Sequence, residues 1–507
     1  MARPNILFVM ADQLAPHFTS TYGHPLVQTP HLDDLAERGV RFDAAYSNSP
    51  LCAPARFSMM AGQSITKIGA YDNASEFPSQ IPTFAHYLRL MGYRTCLSGK
   101  MHFVGPDQLH GFNERLTTDI YPADFAWTPN WHEADLRIDK WYHGMDTLHE
   151  AGQAVATYQL DYDEQVGYEA RRKLLDFARD NDDRPWFLCA SFIHPHDPYV
   201  ARPEWWDLYD HDDIDMPAPV SVTDLDPHST RIRAAIGTDD IGHTPEHVRN
   251  SRHGYYANVS YFDHWVGDLV RTLGETGEMD NTVVMVTSDH GDMLGERGNW
   301  FKMSFYERSA RVPLVMAGPG IAQDHTVGNV CGHLDFLPTF TDLAADERHE
   351  VPAMGVPIDG RSLLELAAGG ADDMDETTGE YCAEMTSHPM FMIRRGSLKY
   401  IHCDTDPALM FDVDADPEET VNLADDVGHR ADSAAFAAEV VTRWDSAAIR
   451  EQVLSSQDAR RILHSAMNTG DITSWDYEPP TDAANQYVRN HMDWADAGPR
   501  SRLPRFP

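Results

Sequence analysis

The pentapeptide Cys52-Ala53-Pro54-Ala55-Arg56 carries the most specific chemistry in the chain. A lone Cys with Pro two residues on and Arg four residues on is the pattern at which a formylglycine-generating enzyme oxidises Cys to an aldehyde. The hydrated aldehyde is an oxygen nucleophile made by modification. On the pentapeptide alone a second reading stays open, a buried Cys on a Pro-containing turn. Other polar residues bear on that choice. Asp12, Gln13, Asp289 and His290 offer three oxygen ligands and one imidazole. That set suits a hard or borderline divalent cation, Ca²⁺ first, with Mg²⁺ or Mn²⁺ as alternatives. Zinc is disfavoured, because there is no thiolate cluster and no HExxH. Lys100 and His102 are two residues apart and face one way on extended chain, as do His194 and His196 around Pro195. Lys302 sits among aromatic residues in Asn299-Trp300-Phe301-Lys302. With Arg56, these side chains form a cationic set, which points to an anionic reacting group on the substrate.

The elements that must position these residues can be read from continuous apolar runs. Ile6 to Ala11 ends in Asp12-Gln13, and Thr282 to Thr287 ends in Ser288-Asp289-His290. Trp186 to Phe192 leads into His194-Pro195-His196, and the shorter Arg94 to Ser98 leads into Gly99-Lys100-Met101-His102. Runs of this kind predict strands buried on both faces. Ligands of open α/β sheets bind outside the carboxyl ends of the strands, so four such ends predict one composite site. Helices are expected over 30–38, 82–91, 162–180 and 261–276, giving an α/β fold with a mainly parallel sheet. Three parts are expected: a catalytic domain over 1–375, a small α+β subdomain over 376–469 with one helix from Ser433 to about Ile449, and an extended tail over 470–507.

The chain is strongly acidic, with 40 basic against 79 acidic residues and a formal net charge of −39. Nucleic acid and anionic membrane surfaces are disfavoured as partners, since both call for a basic footprint. Only six of the basic residues are Lys, so each Lys inside a motif is informative. The acidic surface suits concentrated salt; GC-rich codon usage explains the same bias. Six scattered Cys without a CxxC pair read as reduced thiols. With no signal peptide and no apolar stretch near ~20 residues, the expected location is cytoplasmic.

These segments resemble the type I sulfatases of the alkaline-phosphatase-like superfamily. The matching pieces are Asn5 to Gln13, Cys52 to Arg56, Gly99 to His102, His194 to His196, and Ser288 to Asp292 with Lys302. Further segments resemble choline sulfatases in particular: Cys96 to Phe112, Thr117 to Phe125, His194 to Tyr199 and the tail Tyr487 to Met492. Ala55 stands where many sulfatases have Ser, and Gln13 where many have a second Asp.

The resemblance implies a sulfatase fold and a mechanism. Cys52 becomes formylglycine, whose hydrate binds one metal held by Asp12, Gln13, Asp289 and His290 and attacks the sulfate sulfur. Arg56, Lys100 and Lys302 spread the charge on the sulfuryl oxygens, and His196 or Lys302 protonates the leaving alcohol. His102 then takes a proton as sulfate is expelled. For choline, a quaternary ammonium must be held by aromatic faces and a carboxylate. Trp127, Trp141 and Tyr142 are the aromatic candidates, Glu384 the counter-charge with Glu380 as fallback. Asn73 is placed on the sulfate or leaving oxygen, and Asp493 is placed to close the pocket, from another subunit if the tail is exchanged in a homo-oligomer (dimer or tetramer). The expected reaction is hydrolysis of choline sulfate to choline and sulfate. The alternatives are an arylsulfatase or a phosphonate or phosphate ester hydrolase on the same scaffold.

Overall fold

The first strand, β1 (Asn5–Asp12), is buried along its whole length. Its side chains divide by alternation: Leu7, Val9 and Ala11 enter one core, while Ile6, Phe8 and Met10 enter a second on the opposite face of the sheet. The computed structural model describes residues 3–133, 143–221, 225–482, 489, 491–493 and 501–503. Seven further strands join β1: β2 (Val40–Phe42), β3 (Arg94–Gly99), β4 (Glu114–Arg115), β5 (Trp186–Pro195), β6 (Thr282–Ser288), β7 (Leu314–Ala317) and β8 (His325–Val327). Their order is β8-β2-β7-β6-β1-β5-β3-β4. β1 pairs in parallel with both β5 and β6, and β3 in parallel with β5. Only β7 runs antiparallel, against β6 and β2. The four strands expected to end in polar residues are therefore adjacent and point the same way.

Helices cover both faces. On the Cys52 side lies α1 (Cys52–Ala61), every residue of which is buried. Phe8 packs there against Phe84, Phe336 and Phe340 with ring centroids 5.2–6.4 Å apart. On the other face, α2 (Tyr158–Arg179) and α3 (Pro245–Thr276) contribute Val166, Leu174, Phe262 and Val266 to the first core. Both helices begin earlier than expected from sequence, α3 by sixteen residues. Thr157 and Thr244 cap them through backbone N–H groups of Leu160 and His247. The first turns of α3 hide polar residues that read as surface: Arg252 is buried because Glu296 and Asp215 pair with it.

A second, antiparallel sheet follows in the order β9 (Glu376–Tyr381), β10 (Met390–Arg395), β11 (Leu398–Cys403), β12 (Asp406–Asp412). Two helices follow where one was expected, α4 (Arg430–Arg443) and α5 (Ser446–Met467). The break falls at Trp444-Asp445, because the Asp445 carboxylate accepts the Ala448 N–H and starts a new helix. Lys399 ties this sheet to the segment that leads into β7: it is fully buried and pairs with Glu307 at 2.8 Å, and also with Glu419 at 2.6 Å. The tail crosses the 115–125 segment, where Asp476 accepts the Ala123 N–H and Trp475 packs edge-on against Phe125.

Candidate active site

Cys52 is the first residue of α1, and its thiol meets Asp12 at the end of β1, His290 just past β6, and Lys302. Its Sγ lies 3.8 Å from Asp12 Oδ1, 3.3 Å from His290 Nε2 and 3.3 Å from Lys302 Nζ. Arg56, one turn along α1, fastens the helix to the sheet. Its Nε donates to Asp289 Oδ2 at 2.8 Å, its Nη2 to Asp12 Oδ2 at 2.9 Å, and its Nη1 to Ser191 Oγ at 2.8 Å and the Lys100 carbonyl at 2.6 Å. The Pro of the motif lies at the third helical position, where its missing N–H leaves no orphan donor. Asn73 Oδ1 accepts the Ala53 N–H at 2.9 Å, which ties a second wall of the site to the helix start.

The Lys100 ammonium pairs with Asp12 Oδ2 and lies 4.4 Å from the centre of the Tyr121 ring. Lys302 donates to Gln13 Oε1 at 2.6 Å and to His196 Nε2 at 2.9 Å. His196 Nδ1 in turn donates to the Asp197 carbonyl at 2.6 Å. Burial, with Lys302 alongside, holds the imidazole of His196 well below its usual range, so it is neutral and accepts from Lys302. The ammonium is kept charged against burial by the Cys52, Asp12 and Asp197 side chains. His102 is buried, neutral for the same reasons of burial and neighbouring Lys100, and packs 5.2 Å from Tyr121 and 5.8 Å from Trp127. Three cations, Arg56, Lys100 and Lys302, converge beside Asp12, Asp289 and Asp197, a density of cations unusual in an otherwise acidic protein, and α1 adds the positive end of its dipole.

The donor atoms fit a divalent metal. Ligand atoms of Asp12, Cys52, Asp289 and His290 all lie within 4.8 Å of one another. His290 Nδ1 donates to the Gly291 carbonyl at 3.0 Å, which fixes the tautomer that turns the Nε2 lone pair inward. Gln13 differs from a carboxylate in a way its surroundings use. Its amide Nε2 donates to Asp292 Oδ2 at 2.8 Å and to Asp197 Oδ1 at 3.2 Å, leaving Oε1 directed toward Lys302. An Asp there would face two more carboxylates with no donor of its own.

Glu384 is 2% exposed, and neither carboxylate oxygen accepts a hydrogen bond from another described residue. Burial and the Asp72 charge push it up to about 8, while Lys302 and Arg460 act the other way. Glu380, by contrast, accepts from Thr66 and from the Trp444 indole, and so is committed to a different cavity, of about 610 Å³. Trp127 is half-buried beside His102. Asp493 is exposed on the tail, and Trp141 and Tyr142 lie outside the described residues.

Sequence reasoning passed over Tyr121, His143 and Asp197, which also border the centre. His143 stacks on His196 at 5.5 Å and on Phe301 at 4.7 Å. Tyr121 lay inside a segment already singled out, but nothing in its spacing marked it. A cavity of about 870 Å³ lies around Arg3, Pro4 and His349, at the opposite end of β1. Convergence of donors, not cavity size, locates the chemistry.

Comparison with known proteins agrees with this geometry. The sulfatase family model matches residues 4–346, which hold the ends of β1, β3, β5 and β6. A model described as choline sulfatase enzyme C terminal matches 451–503, and one described as N-sulphoglucosamine sulphohydrolase, C-terminal, matches 295–443. A choline-sulfatase of Rhizobium meliloti is 46% identical, with 99% of each chain covered. An arylsulfatase of Clostridium perfringens is 27% identical over 83% of this chain and 90% of its own. Among solved structures, a phosphonate monoester hydrolase of Agrobacterium radiobacter shares the fold with a TM-score of 0.68 at 21% identity, covering 89% of this chain and 96% of its own. With motifs, strand ends and full-length identity in agreement, the chain belongs to the sulfatase family of sulfuric ester hydrolases.

Proposed function

We propose that this sulfatase hydrolyses choline sulfate to choline and inorganic sulfate. The observation that carries the substrate is Glu384, a buried carboxylate to which no described side chain donates. Burying such a group without a donor is costly unless a cation arrives to offset it. A quaternary ammonium has no N–H, so it needs a carboxylate and aromatic faces, and the half-buried Trp127 supplies a face. A neutral aryl group would gain nothing from Glu384. The R. meliloti relative, a choline-sulfatase, supports the same reading.

Asp12, Asp289 and His290, which converge with Cys52, would hold one divalent metal, Ca²⁺ by the oxygen-rich donor set, with Gln13 Oε1 as a further donor shared with Lys302 and Cys52 matured to formylglycine beside it. Bound there, the metal would lower the pKa of a hydroxyl of the hydrated aldehyde, so that it could serve as nucleophile near neutral pH. Arg56, Lys100 and Lys302 draw charge off the sulfuryl oxygens. Lys302 keeps a proton that it shares with the neutral His196, so this couple is placed to deliver it to the leaving choline oxygen. Asn73 orients the substrate from the wall that also holds the start of α1. His102, neutral, is a proton acceptor for the sulfate-releasing step.

All six cysteines are free and buried. That supports a reducing compartment, the cytoplasm, and maturation of Cys52 by a formylglycine-generating enzyme before the site closes. Among the described residues no helix is long and apolar enough to cross a membrane. A homo-oligomer, dimer or tetramer, belongs to the same proposal; the exposed Ile462 and Ile472 near the tail support it.

The deciding experiment measures sulfate release from choline sulfate by protein from its native source, beside Cys52→Ala. Mass analysis of the peptide around position 52 accompanies it. The parent should turn over and carry the aldehyde mass, and Cys52→Ala should lose at least about 10⁴-fold. A thiol mass in active protein would sink the proposed nucleophile.

A further inference from the structure

The cation end of the site is joined to α5 by a buried ion pair that the reaction itself does not call for. Arg460 grips Asp72 with two parallel bonds, Nη1–Oδ1 2.6 Å and Nη2–Oδ2 2.7 Å. Asp72 is fully buried and Arg460 is 5% exposed. Asp72 precedes Asn73, and Arg460 Nη1 also donates to Thr128 Oγ1 at 3.3 Å, next to Trp127. One turn earlier on the same helix face, Gln457 Oε1 accepts the Trp131 N–H at 2.8 Å. The Trp131 indole then donates to the Ala383 carbonyl at 2.7 Å, adjacent to Glu384. Two neighbouring positions of α5 thus brace three walls: 72–73, 127–131 and 383–384.

We propose that Arg460 is a positioning residue that sets the net charge of the cation pocket to a single negative, cancelling Asp72 so that Glu384 alone faces the quaternary ammonium. This rests on the choline reading above. Once a cation has drawn the proton off Glu384, two buried carboxylates and one guanidinium leave one negative charge, which matches one trimethylammonium. The charges that act on the Glu384 carboxyl are those of Asp72, Lys302 and Arg460, and the Tyr381 hydroxyl donates to the Glu384 backbone carbonyl at 3.0 Å. Lys302 is engaged by Cys52, Gln13 and His196. Without Arg460, the bare Asp72 charge drives Glu384 to keep its proton, and a neutral Glu384 no longer attracts a cation. The bidentate fork also holds Asp72 in one orientation, which a point charge does less well.

The test uses matured, metal-loaded enzyme and two substrates, choline sulfate and 4-nitrophenyl sulfate, between pH 6 and 10. Arg460→Met should raise KM for choline sulfate at neutral pH by about tenfold, equivalent to roughly one pKa unit on Glu384. The pH at which that KM falls should move upward. Activity on the aryl sulfate should change less than about threefold. Arg460→Lys should lie between, and Asp72→Asn with Arg460→Met, which removes both charges together, should bring the choline-sulfate KM and its pH profile back toward the parent. The double variant and Arg460→Lys carry the test if Arg460→Met does not fold. An unchanged profile in Arg460→Met, or equal losses on both substrates without recovery in the double variant, would overturn the inference. A parent that hydrolyses the aryl sulfate but not choline sulfate overturns the substrate reading first, and this inference with it.

Discussion

The two ends of the site are built by opposite rules. At the sulfate end every charge has a partner fixed by the sheet: Arg56 spans Asp12 and Asp289, Lys100 pairs with Asp12, and Lys302 joins Gln13 to His196. At the cation end, Glu384 sits on a turn after β9 with no donor among the described residues, braced by the 72–73 loop, the 127–131 segment and α5. The paired end is preorganised for a transition state whose charge any sulfate ester shares. The end left unpaired is where substrates can be told apart, because a buried carboxyl without a donor favours the ligand whose charge it can meet on ionising.

The largest effect should come from the paired end and should ignore the leaving group. Lys100→Met removes a cation beside Asp12 and the Tyr121 face. We expect kcat/KM to fall about 10²–10³-fold on choline sulfate and aryl sulfate alike. Steady-state kinetics on both substrates checks this; a loss confined to choline sulfate would erase the distinction between the two ends.

Glu384→Gln should do the reverse. KM for choline sulfate should rise about 10- to 100-fold, with the aryl sulfate little affected. The pH dependence carries a sign. With the carboxyl pushed up to about 8, the free enzyme is mostly protonated there at pH 7, and the cation binds the ionised form. KM for choline sulfate should therefore fall as pH rises through about 8, and Glu384→Gln should flatten that slope. The same shift weakens the ligand-free fold as pH climbs from the ordinary Glu range to about 8, because the folded state holds this proton more tightly than the unfolded chain does. Choline should raise Tm more at pH 9 than at pH 6, and equal rises would count against an ionising Glu384.

The same contrast explains what the sequence disclosed. Strand-end residues were legible because a buried parallel strand is a continuous apolar run, and Asp12, Lys100, His196 and Asp289 stand where those runs stop. Cys52 and Arg56 were legible because a modification motif is local. The start of α3 was not, since Arg252 and His253 read as surface until Glu296, Asp215 and the Trp206 carbonyl are seen to meet them. Nor was Arg460, whose partner lies 388 positions away. Pairings of that kind leave no local periodicity. The division of α4 from α5 turned on one side chain, Asp445, acting as a cap inside a stretch of helix-forming residues.

The smallest effect tests how much of the cation end is aromatic. Trp127 is half-buried, 5.2 Å from Tyr121 and 5.8 Å from His102, so its ring is held edge-on by neighbours of the sulfate end while part of it stays open. A cation over an indole contributes about 0.5–2 kcal/mol, which sets the expected rise in choline-sulfate KM for Trp127→Ala at about 3- to 30-fold. Trp127→Phe should recover part of it, because a smaller ring keeps a weaker face. Aryl sulfates have no cation to lose and should change little in KM. A parallel fall in kcat on both substrates would instead place Trp127 with His102, as packing for the sulfate end, and would leave Glu384 to hold the ammonium without it.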